Sequence, residues 1–147
     1  MSAAAGFGDV FGAGFGVALA TPFTDDHRLD EPALVRLVEH VVRGGADFVV
    51  VLGSTGEAAA LTADERARTV ELVRCHRGPA RLVVGSGASS TAEAVASTTA
   101  ARDRGADAAL VVVPPYVRPT QAGIVAHFRA IAEAAPSLPL IAYNVPA

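Results

Sequence analysis

Residues 45–57 read Gly45-Ala46-Asp47-Phe48-Val49-Val50-Val51-Leu52-Gly53-Ser54-Thr55-Gly56-Glu57. The apolar run Phe48 to Leu52 is bounded by glycine turns. It is too short for a buried helix and fits a strand of a parallel sheet, covered on both faces. Helical patterns precede and follow it, so the stretch is the strand that joins one βα unit to the next, and its polar, glycine-rich end is the C-terminal end of that strand. The opening phrase recurs: Gly105-Ala106-Asp107 also closes a helical pattern and turns into an apolar run.

Outward from there, the same kind of run predicts strands at 17–21, 47–52, 81–85, 107–113 and 139–143. Helical patterns lie between them. In the first, Leu34, Leu37, Val38, Val41 and Val42 share one face, opened by Asp30 with Pro32 in the first turn and closed by Gly44-Gly45. Thr62 to Glu65 and Ser90 to Glu93 have capping-box spacing and open the second and third helices. The fourth starts at Thr120 after Pro119 and places Ile124, Phe128, Ile131 and Ala135 on one face. Strands recur about every thirty residues, which fits either an open doubly wound α/β sheet or part of a TIM (β/α)8 barrel. A whole barrel takes at least about 200 residues. In 147 residues the barrel reading is truncated to about four βα units plus a fifth strand, over residues 16–147, after an N-terminal leader at 1–15 that is expected to be flexible.

The chain carries 12 basic and 15 acidic residues for a net charge of −3, with 51% hydrophobic and 18% charged residues. That balance excludes a nucleic-acid footprint and disorder. Apolar runs stop far short of the ~20 residues of a membrane span. A single cysteine, Cys75, excludes an internal disulfide and a multi-cysteine metal site, and a reducing, cytoplasmic setting is expected. His27, His40, His76 and His127 show no metal-ligand spacing and are expected on solvated helix faces or a loop. Neither a metal nor a cofactor is called for. All the basic residues are arginines, so the sequence holds no lysine.

In either architecture ligands bind at the C-terminal ends of the strands, and the polar residues gather there. Strand one ends at Thr21, strand two at Ser54 and Thr55, strand four at Tyr116 and strand five at Tyr143. Glycines flanking two hydroxyl residues, as in Gly53-Ser54-Thr55-Gly56, make a turn whose N–H groups and hydroxyls can hold a carboxylate or phosphate. The alternative is an ordinary βα turn. Gly85-Ser86-Gly87 lacks the third glycine of a dinucleotide fingerprint. Tyr116 and Tyr143, the only tyrosines, stand where phenols can pass protons in a shared pocket or simply plug the sheet end. Thr21, Ser54, Thr55, Tyr116 and Tyr143 are expected to converge.

Taken in order, Thr21-Pro22-Phe23, Gly53-Ser54-Thr55-Gly56-Glu57, Gly85-Ser86-Gly87, Pro115-Tyr116 with Arg118-Pro119, and Tyr143-Asn144-Val145-Pro146 resemble the family of dihydrodipicolinate synthases and N-acetylneuraminate lyases, the pyruvate-dependent class I aldolases. The synthase branch is the more similar. The resemblance implies a (β/α)8 barrel, with pyruvate or another 2-oxo acid as the partner molecule. It implies a lysine on strand six that forms a Schiff base with pyruvate. In the synthase branch the resulting enamine condenses with aspartate semialdehyde in lysine biosynthesis. Ser54 and Thr55, with Thr21 beside them, would bind the pyruvate carboxylate. Tyr143 would shuttle protons at the imine, and Ser54 would link it to a second tyrosine; Tyr116 matches either the first or the second tyrosine of the family's strand-four motif, which is one residue longer than the segment here. Without the lysine the chain is expected to be inactive alone. The alternatives are a sugar-acid pyruvate aldolase of the same family, a non-catalytic fragment acting as an interaction module, and an independent doubly wound binding domain. Open sheet edges at strands one and five predict self-association, as a homo-oligomer or with a complementary fragment.

Overall fold

The computed structural model describes Gly12 and residues 14–145. The expected flexible leader therefore lies almost entirely outside the described residues. Its last residue, Phe15, is tied down: its N–H donates to Asp47 Oδ2 at 2.8 Å.

Among the described residues nine main elements alternate in chain order: β1 Gly16–Ala18, α1 Glu31–Arg43, β2 Phe48–Val51, α2 Ala63–His76, β3 Arg81–Gly85, α3 Thr91–Asp103, β4 Ala108–Val112, α4 Gln121–Ala134 and β5 Leu140–Tyr143. One 3-10 turn, Ala58–Ala60, precedes α2. The helices begin where their caps do. Asp30 accepts from the Ala33 N–H at 2.9 Å, Thr62 and Glu65 complete a reciprocal box, and Thr120 accepts from Gly123. At α3 only half of the expected box forms, with Ser90 accepting from the Glu93 N–H.

The five strands are all parallel, in the order β1-β2-β3-β4-β5. A doubly wound sheet reverses its strand order partway and puts helices on both faces. Here the order never reverses, so successive right-handed crossovers place every helix on one face, and the doubly wound alternative is excluded. On the helix-covered face, Leu34, Val38, Val70 and Val73 pack on Val49, Val51, Leu82 and Val84. Farther along, Ala94, Ile131 and Ala135 pack on Ala109 and Val111. Burying each of the larger side chains contributes about 1.5–3 kcal/mol. The opposite face carries Val83 and Ala108 with Phe48, Val50, Leu110 and Ile141. No helix among the described residues covers it, so these strands are not sealed on both faces as their near-continuous apolar runs suggest.

The two Gly-Ala-Asp turns do the same job at the start of β2 and β4. The Asp47 N–H donates to the Phe15 carbonyl while its carboxylate takes the Phe15 N–H. The Asp107 N–H donates to the Leu82 carbonyl while its carboxylate takes the Leu82 N–H at 2.7 Å. Each aspartate thus pairs both backbone groups of one residue, Phe15 just ahead of β1 or Leu82 within β3, and pins the register.

His127 corrects the expectation of solvated histidines. It is 4% exposed, because it lies three residues after Ile124 and four before Ile131 on the apolar stripe of α4. No helix among the described residues is long and apolar enough to cross a membrane.

Candidate functional site

β2 ends at Val51, and Leu52 turns the chain out of the sheet with φ 57°. This left-handed backbone folds the next residues against β3. Gly85 faces the turn so closely that a Cβ there would lie 2.2 Å from the Leu52 carbonyl oxygen. Only glycine fits. Two successive turns follow, Gly56 N–H to Gly53 carbonyl and Glu57 N–H to Ser54 carbonyl, each 3.1 Å. Glu57 is again left-handed, with φ 49°. The loop is braced from β1 by the Thr21 hydroxyl, which donates to the Gly56 carbonyl at 2.7 Å. From α2, Arg66 Nε donates to the Ala58 carbonyl at 3.0 Å.

Ser54 and Thr55 are left exposed at the apex, and no described residue hydrogen-bonds to their hydroxyls or N–H groups. A cluster of unpaired donors held by a braced loop can accept a small anion without first breaking internal bonds. At the foot of α2, the Thr62 N–H and hydroxyl hold the Glu65 carboxyl below the usual carboxylate range, so this acid stays ionised as part of the cap.

Tyr143 ends β5. Its register partner is Val112, and it follows Ile141 by two residues. Alternation along a strand therefore puts it on the uncovered face with Val83 and Ala108, at the same end of the sheet as Ser54. Its ring is 44% exposed. Three interstrand steps of about 4.8 Å separate β2 from β5 along the sheet, so Ser54 and Tyr143 share a rim without touching.

Tyr116 does not join them. It is fully exposed, with φ 64°, and it borders a different space, a cleft of about 540 Å³ between α2 and α3 that Ser54, Thr55 and Tyr143 do not line. Small residues, Ala63 and Ala67 on one helix and Ala96 and Ala100 on the other, leave that cleft unfilled. The expected convergence of five residues thus holds for Thr21, Ser54 and Thr55 as one cluster, with Tyr143 at the same end. The sequence reading missed the left-handed turns at Leu52 and Glu57 and the bracing by Gly85 and Arg66. The signal for Gly85 was a glycine closing an otherwise valine-rich strand, which marks a close backbone approach.

Parallel βα units in sequence order, helices on one face and a donor loop at the strand C-termini define the N-terminal half of a (β/α)8 barrel with part of its ligand end. Residues 12–147 match the model of the Dihydrodipicolinate synthetase family, and the chain belongs to that family. It is 49% identical over 130 residues to the 4-hydroxy-tetrahydrodipicolinate synthase of Parasynechococcus marenigrum. It is 50% identical over 130 residues to that of Xanthomonas campestris. Each alignment covers 88% of this chain and 43% of the relative. Among solved structures, dihydrodipicolinate synthase from Cyanidioschyzon merolae with lysine bound superposes with a TM-score of 0.87 at 39% identity, covering 93% of this chain and 47% of that one. The enzyme from Acinetobacter baumannii complexed with pyruvate gives 0.86 at 44% identity, covering 90% and 46%. The chain spans less than half the length of these relatives.

Proposed function

We propose that this chain is the carboxylate-binding half of a pyruvate-dependent aldolase, closest in activity to 4-hydroxy-tetrahydrodipicolinate synthase. The observation that carries the reading is the apex of the β2 loop, where two hydroxyl residues and their N–H groups stand unpaired at the strand C-termini. A 2-oxo acid presents a carboxylate to such donors, and charge-assisted hydrogen bonds fix its orientation. The Acinetobacter relative solved with pyruvate supports that ligand class.

In the proposed reaction an amine attacks the ketone carbon of pyruvate and water leaves. The iminium then withdraws electrons, so the methyl group loses a proton, and the enamine adds to an aldehyde. Ser54 and Thr55 hold the carboxylate, Thr21 keeps the loop in place, and the Tyr143 phenol moves protons at the imine. Tyr116 enters the relay by motif match alone, since its ring points into solvent. No side chain in this sequence supplies that amine: every basic residue is an arginine, which stays protonated and forms no imine. The chain alone therefore binds pyruvate and does not turn it over. A second reading is a non-catalytic carboxylate-binding module, which rests on the same loop. The free edges of β1 and β5 are proposed to pair with further strands, from a second copy or from the rest of a barrel, in a cytoplasmic protein.

The test is a pair of measurements on the chain as given. NMR titration with pyruvate should shift the amides of 53–57, and Ser54→Ala with Thr55→Ala should weaken binding at least tenfold. Borohydride trapping with pyruvate should leave no internal adduct, while a longer form carrying a strand-borne lysine should trap one and make product. Absence of pyruvate binding at 53–57 would overturn the carboxylate assignment. An unreactive long form would leave the binding-module reading.

A further inference from the structure

We propose that His127 is an acid-sensitive latch between α3 and α4: neutral, it closes the joint between the helices, and protonated, it opens that joint and frees the first turns of α4.

His127 Nδ1 lies 2.9 Å from the hydroxyl of Thr91, the first residue of α3. The ring stands edge-on to Phe128, with centroids 5.6 Å apart and planes at 84°. Nε2 is sealed from solvent and has no hydrogen-bond partner. A neutral imidazole has one N–H and one lone pair. Placing the proton on Nδ1, donated to Thr91, leaves only a bare lone pair buried, which costs less than an orphaned donor. A second proton would have to go on Nε2, where nothing accepts it.

No charge offsets that cost. The packing around the joint comes from Ala94 and Val95 of α3, Ala109 and Val111 of β4, and Leu140 of β5. β4 carries no titratable residue, and the one on β5, Tyr143, ends the strand on its other face. On α3, Glu93 faces the cleft toward α2, Arg102 bonds the Ala134 carbonyl at the far end of α4, and Asp103 pairs with Arg102. On α4 itself, Arg129 and Glu133 are exposed. Burial alone pushes the His127 imidazole below its ordinary value of 6.5.

The position gives the latch its reach. His127 is the first buried residue of α4; of the six before it, only Ile124 is even half-buried. Once the ring leaves its seat, little else holds residues 121–126, the first turns of the helix, whereas the loop ahead of them is tied at Val113, whose N–H donates to the Tyr143 carbonyl, and at Pro115, whose carbonyl accepts from the Ser89 hydroxyl. The sign follows from linkage. The opened form takes up a proton below about pH 6.5 while the closed form does not, so opening grows as pH falls, by up to about tenfold per pH unit, until the closed form also titrates.

Two measurements on the whole chain test this. In an NMR titration of the histidine C–H signals, His127 should titrate below the ordinary imidazole value of 6.5. Hydrogen exchange, corrected for intrinsic rates, should show amides 121–128 losing about fivefold protection between pH 6.5 and pH 5.5 while α1 amides keep theirs. His127→Asn, which retains a polar atom near Nδ1, and His127→Phe, which fills the seat, should both abolish that difference. His127 titrating at or above 6.5, or equal acid sensitivity of α4 in both variants, would overturn the proposal.

Discussion

The two ends of the sheet solve the same problem, reversing the chain between a strand and a helix, with different residues. At the N-terminal end of the strands, the left-handed positions are glycines: Gly45, Gly78 and Gly105. At the C-terminal end they are His27, Leu52, Glu57 and Tyr116, side chains for which that backbone costs about 1–2 kcal/mol each. The first end is also the one where aspartates pair strand backbone groups, and the second is where Ser54 and Thr55 keep theirs unpaired. One end is relaxed and satisfied, the other strained and unsatisfied, and strain of this kind concentrates where ligands bind.

The contrast can be broken by mutation. Gly85→Ala should have the largest effect, because the new Cβ meets backbone that cannot swing aside: a loss of about 3 kcal/mol in urea unfolding, with displaced amide signals at 53–57. Next comes Asp107→Ala, which strips acceptors from the Leu82 N–H and from Arg77, 2.7 Å away and mostly buried. It should cost about 2 kcal/mol, against about 1 kcal/mol for Asp47→Ala, whose carboxylate is exposed. Equal losses would mean that the arginine adds nothing. Smallest is a pair of opposite sign. Gly45→Ala, in open space but with φ 95°, should destabilise by about 1 kcal/mol, while Glu57→Gly should stabilise by about 0.5 kcal/mol. If Glu57→Gly destabilised instead, the left-handed turn would not be a site of strain.

The sequence carried the relaxed end better than the strained one. Strand runs and caps at Asp30, Thr62, Ser90 and Thr120 are local signals, and each of them marks an element that forms. β1 came out shorter than its apolar run because Leu19 makes the last ladder bond, to the Val50 carbonyl, before Thr21 turns to brace Gly56. Ser54, Thr55 and Tyr143 were legible as strand-end polar residues. The handedness of Leu52 was not, because it is imposed by β3 lying against it. Nor was the outward ring of Tyr116, since Pro114-Pro115-Tyr116 looks the same whichever way the loop leans. His127 was hidden by its residue type, although its three-and-four spacing to Ile124 and Ile131 was in plain view.

The unbroken strand order also bears on how the chain is born. Each strand pairs with its predecessor in sequence, so no late-arriving segment has to be threaded between earlier ones, and loop-closure distances stay short. A chain emerging from the ribosome can add one βα unit at a time, each docking on an edge already in place. The hazard at every stage is the same single growing edge, and the time it stays bare depends on how quickly the next thirty or so residues are translated.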